Sequence, residues 1–269
     1  MGLPSFITPI MGKKQGYLPL TLAWIAATSE TDTTILNALN TFEASMIANG
    51  MNSGDLIAYY PMVGGTQTKH SYNFMNTALY QLTFFSGWTH SSTGALPNGT
   101  NAYANTGINA STVFTQNNNH CGVYSRTNVA GASRTAVGCI ISSTPIYALQ
   151  IRSAANLASV FNNSQAATQF ATGANTNSQG FYLMNKTSSA IGGLTVDKNG
   201  TQIGSNAGAI ATNNYENTNV LIGALTTALQ FDNKEYAGVT FGLGLNATKR
   251  GQIEDMVNAL NTSLSRNVY

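Results

Sequence analysis

A glycoside hydrolase needs two carboxyl groups held roughly 5–10 Å apart, one to protonate the leaving oxygen and one to serve as base or nucleophile. The chain offers ten carboxylates: Glu30, Asp32, Glu43, Asp55, Asp197, Glu216, Asp232, Glu235, Glu254 and Asp255. Residues two apart on a strand share a face, so a strand-borne catalytic pair reads carboxylate-x-carboxylate. Only Glu30 and Asp32 have that spacing, and they stand at a predicted helix start. Asp232 and Glu235 fall in a predicted loop, where carboxylates are usually solvated. His70, His90 and His120 lack metal-ligand spacing. No Gly-x-Ser-x-Gly elbow marks a nucleophile. The expectation is therefore no catalysis, no metal and no cofactor.

The chemistry that remains is sugar docking, in which an aromatic face stacks on the sugar and amide side chains bond its hydroxyls. Trp88, His90, Asn98, Asn101 and Tyr103 lie close together on loop-like segments and are the candidate glycan-binding residues. The competing reading places Trp88 and Tyr103 in the core as part of the first strands.

Charged residues make up 8% of the 269 residues, against about a quarter in ordinary domains. Asn, Thr, Ser, Gly and Ala take their place. Hydrophobic residues at 43%, with 12 Tyr and 11 Phe, supply a core and argue against disorder. The net charge is +2 with no basic run longer than Lys13-Lys14, which argues against nucleic-acid binding. No apolar run reaches the roughly 18 residues of a membrane span; the longest window, 17–27, contains Pro19. The opening Met1-Gly2-Leu3-Pro4 reads as neither a signal peptide nor, with Phe6 in place of Ser or Thr, a myristoylation site. Cys121 and Cys139 make no disulfide framework and read as free core thiols.

The elements that must position these groups divide the chain into three. Residues 1–27, with Pro4, Pro9 and Pro19 and apolar residues of no period, read as an extended N-terminal arm. Residues 28–55 form a helical segment. Ser29 followed by Asp32 resembles a capping box; Ile35, Leu39, Phe42 and Met46 recur at helical spacing, and Asn49-Gly50 is a stop signal. Residues 56–269 carry short β runs broken by turns, closed by a helix that Asn246 caps. Strands are predicted at 56–62, 79–85, 101–105, 120–127, 135–142, 146–151, 157–161, 180–184, 191–197, 201–204, 219–224 and 236–243. Asn199-Gly200 between β-formers predicts a two-residue hairpin turn, because both central residues need positive φ. Pairing 120–127 with 135–142 sets Cys121 opposite Cys139 and Val123 opposite Val137 on one face. It also sets Arg126 opposite Arg134 on the other.

The stretches Phe84-Phe85-Ser86-Gly87-Trp88-Thr89-His90 and Pro97-Asn98-Gly99-Thr100-Asn101-Ala102-Tyr103 resemble the opening of the laminin-G-like, concanavalin A-like jelly roll. Residues 120–127, the 194–203 hairpin and Val220-Leu221-Ile222-Gly223 resemble its later strands. With Tyr59-Tyr60-Pro61-Met62-Val63-Gly64-Gly65-Thr66 and His70, the chain over roughly 28–269 resembles virion proteins of tailed phages infecting Bacteroidetes, including crAss-like phages. The resemblance implies a mainly β, antiparallel β-sandwich in a virion subunit, a head or tail fibre or a decoration protein assembled in the host cytoplasm. It implies other virion proteins as partners and a host surface glycan as ligand of an adhesin; the low charge and abundant small polar residues suit a subunit buried against copies of itself, with residues 1–27 as its attachment element. The carboxylate loops of calcium-binding members have no counterpart here.

Overall fold

The computed structural model describes residues 16–131, 134–141, 146–164, 167–210 and 214–269. In chain order the elements are α1 (Pro19–Thr28), α2 (Thr33–Ala48), β1 (Ala58–Tyr60), α3 (Gln67–Ser71), β2 (Thr83–Phe85), β3 (Trp88–Ser91), β4 (Gly94–Pro97), β5 (Tyr103–Asn109), α4 (Ala110–Val113), β6 (Asn119–Ser125), β7 (Val137–Cys139), β8 (Ile146–Gln150), β9 (Leu157–Ser164), β10 (Ala171–Ala174), β11 (Gly180–Lys186), β12 (Leu194–Lys198), β13 (Thr201–Ser205), β14 (Asn219–Ile222), β15 (Tyr236–Gly242) and α5 (Ala247–Ser263). The strands form two antiparallel sheets packed as a sandwich. The inner sheet runs β13-β12-β11-β6-β15-β4-β3, with β1 also paired to β15. The outer sheet runs β10-β9-β8-β7-β14-β5-β2.

The inner sheet is covered on both faces. Every residue of β6, β11 and β15 is buried. Cys121, Val123, Tyr182, Met184, Val239 and Phe241 point to the core between the sheets. Tyr59, Tyr124, Phe181, Leu183 and Ala237 point the other way, against Trp24 of α1, Leu39 and Phe42 of α2, and Ile253, Val257 and Leu260 of α5. Phe42 stacks on Tyr59 with centroids 4.6 Å apart. Each such side chain contributes about 1.5–3 kcal/mol on burial, so two apolar faces per strand explain why these strands show no polar alternation.

The helices correct two expectations. Residues 1–15 lie outside the described residues, but Pro19–Thr28 is helix rather than extended arm. Proline suits the first helical turn. Glu43 of α2 accepts hydrogen bonds from the Leu20 and Thr21 N–H groups at 2.8 and 2.9 Å, supplying the acceptors that a first turn lacks. Trp24 is fully buried, so tertiary contacts hold a helix that has no amphipathic period. Ser29 does not cap α2; it ends α1 with φ 52°. Asp32 is the cap, accepting from Thr34 N–H at 2.8 Å. At the other end, Asn246 caps α5 by accepting from Lys249 N–H at 2.9 Å. Lys249 and Arg250, unfavourable beside that helix's N-terminal dipole, reach Asp55 at 2.6 Å and Asp197 at 2.5 Å.

The Asn199-Gly200 hairpin forms as expected between β12 and β13, with φ of 50° and 74°. The predicted 120–127/135–142 hairpin does not. Within it, β6 sits in the inner sheet between β11 and β15, while β7 sits in the outer sheet between β8 and β14. Cys121 lies opposite Met184 and Phe241, and Cys139 opposite Tyr147. Both segments do turn apolar residues toward one core, but from facing sheets; alternation alone does not distinguish a neighbour across a ladder from one across a sandwich. Arg126 pairs with Glu235 at 2.7 Å, and Arg134 donates to Phe231 O at 3.1 Å. Both cysteines are free and buried.

The terminal strands β10 and β13 of the two sheets lie against each other, bridged at Ala171 and Asn206. Their backbones approach so closely that a Cβ on Gly204 would sit 2.1 Å from Thr172 O, and one on Gly173 would sit 2.4 Å from Ile203 O. Glycine is required at both by proximity.

Candidate functional site

With α1, α2 and α5 on the inner sheet, no long helix among the described residues covers the outward face of the outer sheet. Thr83, Phe85, Leu157 and Thr172 are exposed there. One loop, residues 223–231, crosses it. Asp232 N–H donates to Gly223 O at 2.8 Å and closes the loop's base. Gln230 is clamped to the sheet: Thr135 N–H donates to its backbone O at 3.0 Å, while its Oε1 accepts from Thr135 Oγ1 at 2.7 Å and Gln150 Nε2 at 3.1 Å. Beneath the loop lies Gly138. A Cβ there would come within 3.0 Å of the Leu225 side chain and 3.2 Å of its Cα, so the missing side chain lets the loop settle on the strand.

The loop splits the face into two clefts that share Leu225 as a wall. One, of about 220 Å³, is lined by Asn105, Asn219, Leu221, Thr226 and Thr227 among others. The second, of about 250 Å³, is lined by Ile146, Ala148, Gln150, Phe161 and Gln230. Both fall below the roughly 300–1,000 Å³ of pockets that enclose a small ligand. They are open and suit part of a longer molecule lying across the sheet. The Asn105 Oδ1 accepts from Gly107 N–H at 2.9 Å, which fixes the amide of a residue lining the first cleft.

At the β2 edge of this face Phe85 pairs directly with Tyr103 across the ladder. Their rings lie nearly parallel, with centroids 4.7 Å apart and an interplanar angle of 18°. Phe85 is 40% exposed. The five residues singled out from sequence separate into three groups. Tyr103 belongs to this aromatic pair. Asn98 and Asn101 meet in the β4–β5 loop, where Asn98 Nδ2 donates to Asn101 Oδ1 at 2.7 Å and Asn98 Oδ1 accepts from the backbone N–H groups of Thr100, Asn101 and Ala102. Trp88 and His90, on β3, pack against Phe84 with centroids 5.1 and 4.7 Å away. The Trp88 ring also meets Tyr236, and its Nε1 is buried without a partner. The competing reading of Trp88 as a packing residue therefore fits its surroundings, whereas Tyr103 keeps an outward aspect.

Many of the titratable groups have structural partners. His70 Nδ1 and His90 Nδ1 lie 2.9 Å apart. Burial, then the neighbouring His90 and Arg266, pushes His70 down to about 3. Burial likewise lowers His90, and brings His120 to about 4. Burial raises both Cys121 and Cys139 to about 12. Glu30 pairs with Lys69 at 3.0 Å. Asp232, fully buried, binds Lys234 at 2.8 Å and accepts from the Tyr236 hydroxyl at 2.6 Å. Glu216 accepts from Ile141 N–H, and Glu254 accepts from the Tyr269 hydroxyl at 2.6 Å. Among the described residues no three His, Cys, Asp or Glu converge as a metal site, and no helix is long and apolar enough to cross a membrane.

Phe85, Asn105, Gln150, Asn219, Leu225 and Gln230 were not marked in the sequence. Gln150 and Gln230 are 80 residues apart, and no local spacing links them.

No family model matches the chain, and no curated protein matches it. Among solved structures it is similar to domain 4 of AbnA, a GH43 extracellular arabinanase from Geobacillus stearothermophilus, in complex with arabinotriose, at 10% identity and TM-score 0.44, covering 75% of this chain and 98% of that one. It is similar to Trypanosoma rangeli sialidase in complex with sialic acid at 11% identity and TM-score 0.48, covering 77% of this chain and 34% of that one. The binding domain of Botulinum Neurotoxin DC in complex with SialylT aligns at 9% identity and TM-score 0.42, covering 75% of this chain and 51% of that one. The chain thus spans about a third of the sialidase and half of the toxin chain.

Proposed function

We propose that this chain is a non-catalytic, carbohydrate-binding β-sandwich subunit that lays a surface glycan across the outward face of its outer sheet. The observation that carries this reading is the joint presence, on a sheet face that no long helix among the described residues covers, of the stacked Phe85–Tyr103 pair and of two open clefts rich in Asn, Gln and Thr side chains. Sugars present apolar ring faces and a dense array of hydroxyls, and such a surface answers both. The engagement of Glu30, Asp55, Asp197, Asp232, Glu235 and Glu254 with structural partners supports the absence of hydrolysis. In the phage-particle setting that the sequence resemblance implies, the glycan belongs to the bacterial surface. A glycan array with purified protein, repeated with Phe85→Ala and Tyr103→Ala, tests the reading. Binding by the wild type and its loss in both variants, at unchanged melting temperature, is expected; retention in both variants overturns it.

A second reading, assembly into a particle, draws on α1. This helix has no charged residue and only Thr21 and Thr28 among its polar ones, both buried, yet Leu22 is 52% exposed, and so apolar a helix is normally covered. Sedimentation of the wild type and Leu22→Gln distinguishes it: a defined oligomer that dissociates in the variant supports assembly through this helix, and a monomer at all concentrations removes it.

A further inference from the structure

Resting on the glycan-binding reading, we infer that the ligand is an uncharged oligosaccharide and that the face discriminates against sialylated or sulphated forms. The seven strands of the outer sheet contain no Asp, Glu, Lys or Arg. Residues 70–125, 135–151, 153–185 and 217–231 lack all four types, so the segments that build the face and its crossing loop are neutral throughout. Neither cleft has a charged lining residue.

The charged groups that adjoin these segments are held by protein partners, Glu216 by the Ile141 N–H beside the first cleft. Arg134 donates to Phe231 O. Arg152 donates to Asn156 Oδ1 at 2.8–3.0 Å and to Asn128 Oδ1 at 2.7 Å. Recognition of a sugar carboxylate or sulphate calls for a charge-assisted donor such as arginine, and desolvating the anion without one is costly. Hydroxyls make no such demand. The amides here are also oriented for neutral partners. Gln230 Oε1 is taken by Thr135 and Gln150, and Asn105 Oδ1 by Gly107, which leaves the NH₂ groups of Gln230 and Asn105 as donors toward hydroxyl or acetamido oxygens.

The test uses the full chain and matched glycans, each neutral oligosaccharide beside its sialic acid-capped and sulphated forms, read by biolayer interferometry. The neutral form should bind at least about fivefold more tightly. Its affinity should change less than about twofold between about 50 and 500 mM salt, across which electrostatic contacts are progressively screened. Gln150→Lys should shift preference toward the capped forms while the melting temperature holds. Tighter, salt-sensitive binding of the capped forms by the wild type overturns this inference and leaves glycan binding standing. No binding to any glycan overturns both. A second copy of the chain seated on this face, seen as a dimer that Gln150→Lys dissociates, also overturns it.

Discussion

His70 and His90 meet Nδ1 to Nδ1 at 2.9 Å, so one ring donates and the other accepts, while the Nε2 of each is buried without a partner. Such a pair is neutral, and a proton added to it stands in a site that burial and Arg266 already make unfavourable for positive charge.

The first prediction is acid sensitivity. His70 is lowered to about 3 and His120 to about 4, against about 6.5 when unfolded. Between those values the unfolded chain binds more protons, so stability is complete above about pH 6.5 and falls as pH drops. Each such histidine adds a slope of up to about 1.4 kcal/mol per pH unit. Burial raises Asp197 and Glu254, which act in the opposite sense through smaller shifts than those of the two histidines. Melting temperatures followed by circular dichroism should therefore decline from about pH 7 to about pH 5. A flat profile across that window would show that the histidines are not held neutral.

Trp24→Ala should destabilise the fold by about 3–5 kcal/mol, the range for emptying a large aromatic site. A chain cut after residue 27 should melt lower still, because Glu43 would lose its partners at Leu20 and Thr21. An arm serving attachment alone would be removable without effect on unfolding in urea.

Lys234→Met should cost about 3–5 kcal/mol, since it leaves the Asp232 carboxylate buried beside only the Tyr236 hydroxyl and backbone. The double variant Asp232→Asn/Lys234→Met should recover much of that loss. Denaturant titration of both variants reads the difference, and equal losses would mean that the ion pair is not the determinant.

Gly204→Ala should lower stability by about 1–3 kcal/mol or more, because its Cβ would lie 2.1 Å from a backbone oxygen that cannot rotate away. Gly192→Ala serves as the control: a Cβ there meets nothing within 4 Å, although its φ of 76° carries a modest strain. If the two variants melt together, β10 and β13 are further apart than described here.

What could be read from the chain was local. The α2 stripe at Leu39, Phe42 and Met46, the Asn246 cap and the Asn199-Gly200 turn each depend on residues within a few positions of one another. β4 and β10 escaped notice because Gly94, Pro97 and the small residues Ala171-Thr172-Gly173-Ala174 carry weak strand signals, and β3 because its four residues are too few to show a period, although Trp88 and Thr89 favour strand. Tyr103 stood out as an aromatic among asparagines. Its partner Phe85 emerges only once β2 and β5 are in register, and the Gln150–Gln230 contact only once a distant loop folds over the sheet. Cys121 and Cys139 share a core, as alternation required, but the choice of facing sheets over one ladder is global.

The abutment of β10 on β13 bears on how strands of neighbouring copies could pair. One common guard for a terminal strand is a charged side chain, lysine above all, which opposes an incoming strand. A chain with 8% charged residues has little such repulsion available. Gly173 and Gly204 bring the ends of two sheets together instead, so each terminal strand is shielded by the other. At that corner the obstacle to an incoming strand is geometric rather than electrostatic, so screening by salt would not remove it.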